Sequence, residues 1–169
     1  MAQDGSERGH ERHHVAGQLG YLVGVANDGH SRVAARFAGL RARNTGSKVT
    51  LIHVMPPPEF QHWDAVGELM RAETREASEA LLGELANEVE AIAGSRPATV
   101  VREGRIGEEI LKYLEADPSI TVLVVGAAQP DSRHGTLISW LASQLAGQLH
   151  IPLVIVPGNL SDQALEDLT

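Results

Sequence analysis

The chain has 169 residues, 43% hydrophobic and only 4% aromatic, with 22 acidic against 14 basic side chains for a formal charge of −8. At roughly 100–150 residues per domain, this is one domain with short tails and an aliphatic core. The acidic balance argues against a nucleic-acid binder, which needs clustered Lys and Arg, and a chain without cysteine has no disulfides, thiolate nucleophiles or cysteine-held metal centres.

No apolar run approaches the ~20 residues that span a bilayer. The opening stretch MAQDGSERGHERHH lacks the apolar centre of a signal peptide. The expectation is a cytoplasmic protein with no membrane partner. Residues 1–16 read as a disordered polar tail. His10, His13 and His14 lie in it beside Glu11, and a solvated tail gives them no fixed metal geometry.

Order begins near Gly20. Tyr21–Val25 is an apolar run too short for a helix and reads as the first strand. Ala26-Asn27-Asp28-Gly29-His30 is a turn cluster, and Ser31 reads as the N-cap of a helix carrying Val33, Ala34, Phe37 and Leu40 at helical spacing. Asn44-Thr45-Gly46 ends it. Val49–Val54 is the second strand, stopped by Pro56-Pro57-Pro58. A long helix is predicted from about Asp64 to Ala93, with the stripe Val66, Leu69, Met70, Ala77, Leu81, Leu85, Val89 and Ile92. Thr99–Val101 is the third strand. After the tight connection Glu103–Gly107, Glu108 and Glu109 place negative charge in the first turn of a helix, which carries Ile110, Leu111 and Leu114 inward and stops at Asp117-Pro118. Thr121–Val125 is a fourth strand, apolar without alternation, as in strands covered on both faces. A loop from Gly126 to about Gly135 leads to a last helix with Leu137, Ile138, Leu141, Leu145 and Leu149. Leu153–Val156 is the fifth strand, and the prolines at 152 and 157 mark it as a sheet edge. Asn159–Thr169 reads as a loosely held acidic tail.

Strands alternating with helices give an α/β fold with a mainly parallel sheet and helices on both faces. Right-handed crossovers leave few topologies, and a doubly wound five-stranded sheet of order 3-2-1-4-5 fits. Ligands of such sheets bind where the winding reverses, outside the strand carboxyl ends. Here that switch point lies between the loops after Val25 and Val125. Gly126 lets backbone amides approach a ligand, and Gly135-Thr136 stands where a helix N-terminus offers free N–H groups to phosphate.

Several stretches together resemble the universal stress protein (UspA-like) family: YLVGVANDGHSRVAARFA, VTLIHVMPP, REGRIGEEIL, TVLVVGAAQ and HIPLVIVP. They extend over roughly residues 20–157. The resemblance implies a universal stress protein domain over 17–158, between the 1–16 tail and the 159–169 tail. It also implies the fold derived above and a homodimer joined through the edge strand Leu153–Val156. Part of that family binds ATP or AMP and part does not. The binders carry Gly-x2-Gly-x9-Gly followed by Ser or Thr. Gly126 matches the first position, Gln129 replaces the second, and ungapped counting puts Ser139 and Trp140 at the last pair. A shortened loop brings Gly135-Thr136 into that role. The family's Asp at the end of the first strand is Ala26 here, followed by Asn27 and Asp28. If a nucleotide binds, Val54 flanks the base, and the Gly126 and Gly135-Thr136 amides hold the phosphates.

The function implied is a dimeric regulatory or protective protein of the stress response, with a degenerate adenine-nucleotide site and no enzymatic activity. The alternatives are an ATP- or AMP-binding member using Gly126 and Gly135-Thr136, or a weak nucleotide-hydrolysing enzyme. An enzyme on this scaffold needs a Gly- and Ser-rich phosphate loop after the first strand, and ANDGHS is poor for that. Asp131, Ser132 and His134 are too close in sequence to align as a triad, and no G-x-S-x-G elbow surrounds any serine. A phospho-acceptor receiver domain needs an Asp after the third strand, where Glu103-Gly104 stands. His53 reads as a structural histidine with a backbone partner. His62 and Trp63 read as helix-start packing, and within the 17–158 domain no H-E-x-x-H metal spacing occurs.

Overall fold

Leu22 and Val23 are neighbours in one strand, point to opposite faces, and are both fully buried. A strand covered on both sides needs helices above and below it, and the computed structural model, which describes residues 19–57, 65–127 and 147–169, shows them. Strands β1 (Gly20–Val25), β2 (Lys48–Met55), β3 (Ala98–Glu103), β4 (Val122–Ala127) and β5 (Leu153–Pro157) alternate with α1 (Gly29–Thr45), α2 (Ala65–Ala93) and α3 (Ile106–Ala116), and α4 (Asp162–Leu168) follows β5. All neighbouring strands pair in parallel, and the order is β3-β2-β1-β4-β5. The doubly wound sheet expected from the strand pattern is present. The winding reverses between β1 and β4.

Each face has its own core. Val23, Leu51 and Val124 pack with Ala34 and Ala38 of α1 and with Leu82, Leu85 and Val89 of α2. Leu22, Ile52, Leu123 and Val125 pack with Ile110 and Leu114 of α3. Full burial of such a side chain contributes about 1.5–3 kcal/mol, against ~0–1 kcal/mol for an exposed ion pair. The two cores therefore hold the molecule together, and the surface pairs adjust it.

Three local readings change. Ser31 is not the N-cap of α1. Asp28 is, with its carboxylate accepting the Ser31 N–H at 2.8 Å. Ser31 is buried in the first turn, and its hydroxyl accepts the Ala26 N–H at 2.8 Å. The predicted α2 stripe is buried only in its C-terminal half. Val66, Leu69 and Met70 are 62%, 61% and 56% exposed. The 159–169 segment, expected to be loosely held, contains α4, which is capped by Ser161 and buries Leu165 in the α1 core. The helix predicted around Leu137–Leu145 lies outside the described residues, as do the 1–16 tail, His62, Trp63, Asp131, Ser132 and His134.

Candidate functional site

At the switch point, strand register decides which residues meet. Val25 is opposite His53, so Ala26 stands level with Val54. Gly24 is opposite Val125, so Val25 stands level with Gly126. The carboxyl ends of β2, β1 and β4 thus bring Val54, Ala26 and Gly126 together at one edge. Gly135 and Thr136 lie outside the described residues.

Hydrogen bonding within this edge is largely internal. The Ala26 N–H goes to Ser31, the Asp28 N–H goes to the Ala26 carbonyl at 2.9 Å, and the Ser31 N–H goes to Asp28. The loop after β1 thereby spends donors on its own turn and cap that a phosphate would otherwise use. Asp28 adds a carboxylate in the same loop. Asn27 is exposed. Val54 is half-buried and packs against the α3 core. His53 is the structural histidine expected. Its Nδ1 lies 2.8 Å from the Val25 carbonyl, and because a carbonyl only accepts, Nδ1 carries the proton there.

Gly126 has a steric cause. A Cβ there would collide with the His30 carbonyl and stand 2.9 Å from the Ser31 nitrogen. The first turn of α1 rests directly on the end of β4. Gly158 works the same way on the other side. A Cβ there would strike the His30 ring and stand 2.8 Å from the Ala127 oxygen, which accepts the Gly158 N–H at 3.0 Å. His30 is therefore wedged between the ends of β4 and β5, and its buried Nδ1 makes no hydrogen bond among the described residues. In the sequence His30 stands as one member of a turn cluster. The signal available was the glycine on each side of its seat, and two separate glycines identify a contact only when the topology brings them together.

A second concavity, about 300 Å³, opens beyond the ends of β2 and β3 under α2. Met55 and Ala72 give it an apolar part, and Glu68, Arg71, Arg75 and Glu103 give it two acids and two bases. Arg71 closes on Glu103 with bonds of 2.8 and 3.1 Å. Among the described residues its lining holds no glycine, so that lining does not repeat the phosphate chemistry sought at the switch point. Among the described residues no three His, Asp or Glu side chains converge as metal ligands, and no helix is long and apolar enough to cross a membrane.

A family model described as the universal stress protein family matches residues 21–157. None of the curated proteins is similar enough in sequence to match. Among solved structures, the chain is similar to the universal stress protein UspA from Lactobacillus plantarum, at 21% identity and a TM-score of 0.67, with 82% of this chain and 97% of that one covered. A universal stress protein family member from Arabidopsis thaliana with AMP bound is 19% identical, with a TM-score of 0.60 and coverage of 86% and 98%. The universal stress protein from Archaeoglobus fulgidus in complex with dAMP is 16% identical, with a TM-score of 0.54 and coverage of 82% and 97%.

Proposed function

The chain belongs to the universal stress protein family, and from that premise we propose that it is a dimeric regulatory or protective protein of the cytoplasmic stress response whose adenine-nucleotide site is degenerate. One observation carries the last part: Gly126, the position matching the start of the nucleotide-binding pattern, supports the first turn of α1. Its lack of a side chain is already required by packing, so it is no sign of a ligand's approach. The internally bonded Ala26–Ser31 turn and the Asp28 carboxylate support the same reading. Dimerisation uses the outer edge of β5, Leu153–Val156, which among the described residues has β4 as its one neighbouring strand, and the flanking prolines limit further strand addition. The role requires no catalytic group.

The second reading, an ATP- or AMP-binding member, rests on the Arabidopsis and Archaeoglobus structures, which hold AMP and dAMP. In it Ala26, Asn27 and Val54 surround the base, and the Gly126 and Gly135-Thr136 amides hold the phosphates. Chromatography of the supernatant from denatured, freshly purified protein separates the two readings. The degenerate site predicts no adenine peak, and no heat on titration with ATP and magnesium. An equimolar adenine nucleotide would replace the first reading with the second.

A further inference from the structure

The match to the family ends at residue 157, and α4 comes after it. This helix of seven residues is too short to persist alone in water, so its tertiary contacts hold it. Among the described residues they are an apolar anchor and a set of contacts with arginines of α1. Leu165 is 1% exposed and joins the core cluster that contains Ala35, Ala38 and Val156. Around it, Arg36 of α1 pairs with Asp162 at 3.0 Å, Arg43 pairs with Glu166 at 3.0 Å, and Arg41 donates to the Thr169 carbonyl at 3.2 Å. Three arginines of α1 thus meet the start, the last turn and the end of this segment. The segment 159–169 carries Asp162, Glu166 and Asp167 and no base.

We propose that the outer face of α1 beside β5 is a receptor surface for a short acidic amphipathic helix with one apolar anchor, and that α4 is its resident and displaceable occupant. Two features make displacement possible. The Asp162 and Glu166 side chains are 74% and 50% exposed, so their pairs are weak and screened by salt. One buried leucine and a few exposed pairs place α4 among the segments that open locally before the core does. The second feature is an unmet bond. Among the described residues the buried Nε of Arg36 has no acceptor, because Asp162 reaches only the terminal nitrogen. A carboxylate that spans both nitrogens forms the stronger, two-pronged pair. A helix presenting the longer Glu at that point fits the surface better than α4 does.

The test uses the full-length chain. Leu165→Asp removes the anchor and vacates the surface. A fluorescein-labelled peptide of residues 159–169 is then titrated by anisotropy at about 50 mM and about 500 mM NaCl. The expected result is binding to the Leu165→Asp chain and binding about tenfold weaker to the unmodified chain, whose surface is occupied. The Asp162→Glu peptide should bind severalfold tighter, and the high-salt buffer should weaken both by about tenfold. Absent binding to a folded Leu165→Asp chain, equal binding to both chains, or indifference to salt overturns the proposal. If Leu165→Asp does not fold, hydrogen exchange on the unmodified chain decides. Amides of α4 should lose protection as salt rises while β1 keeps its own, and α4 protection equal to that of β1 at both salt levels overturns it.

Discussion

Helices α1 and α2 cover the same face of the sheet in opposite styles. α1 meets the sheet through small residues, Ala34, Ala35, Ala38 and Ala42, which let its backbone come close. Its first turn rests on the Gly126 backbone and is fixed by the Asp28 cap. α2 meets the sheet through the long side chains Leu82, Leu85 and Val89, and this burial starts only at Ser78. Arg71 reaches Glu103, the last residue of β3, so the residues before it project past the strand ends. One helix is tied down from its first turn, and the other is anchored in its second half and overhangs with the rest. Apolar periodicity names the face a helix would bury, and the length of the neighbouring strands decides how much of that face finds cover.

The largest effect should come from the anchored half of α2. Leu85 is buried among α1 and the sheet, and Leu85→Ala removes its contacts and leaves a cavity, at a cost of about 2–5 kcal/mol. Urea unfolding followed by circular dichroism reads this as a lower midpoint with an unchanged slope. A loss under ~1 kcal/mol would mean that the helix does not depend on this half for its attachment.

The seat of α1 comes next. Gly126→Ala pushes a methyl group into the His30 carbonyl and the Ser31 nitrogen, both backbone atoms at the start of a helix. Either α1 or β4 must shift, and overpacking of this kind costs about 1–3 kcal/mol. The comparison is sharpened by Gly83→Ala in α2, where a Cβ meets nothing within 4 Å. Gly-to-Ala within a helix should stabilise by about 0.4–1 kcal/mol. The same chemical change is thus expected to have opposite signs in the two helices. A Gly126→Ala chain as stable as the parent would remove the steric account of this glycine and return it to the ligand reading.

The sheet could be read from the sequence because its strands are unbroken apolar runs, such as Leu123-Val124-Val125, that only a doubly covered parallel strand accommodates. The order followed from the alternation with helices. The site was harder to read. Gly126 announces a close approach without saying whether a ligand or another turn of the same chain is approaching, and only the position of His30 answers that. The α4 segment was missed because its composition is acidic and a single leucine carries its burial. Its one local sign was Ser161 followed by Asp162, a cap and a first-turn acid. The overhang of α2 has no local sign, since Val66 and Met70 continue the apolar stripe of Leu81 and Leu85 and differ from them in whether the sheet extends beneath.

Leu69→Ala, in the overhanging half of α2, is the smallest expected change. Leu69 is exposed, so truncating it removes little buried surface, and Ala is the better helix former. The expected effect lies within about 0.5 kcal/mol of zero, measured by the same urea unfolding. Setting this against Leu85→Ala compares the same substitution in the same helix at an exposed and a buried site, so the difference between the two separates cover from propensity. Equal losses at both sites would show that the overhang is packed in solution, and the contrast between a tied helix and a projecting one would then fail.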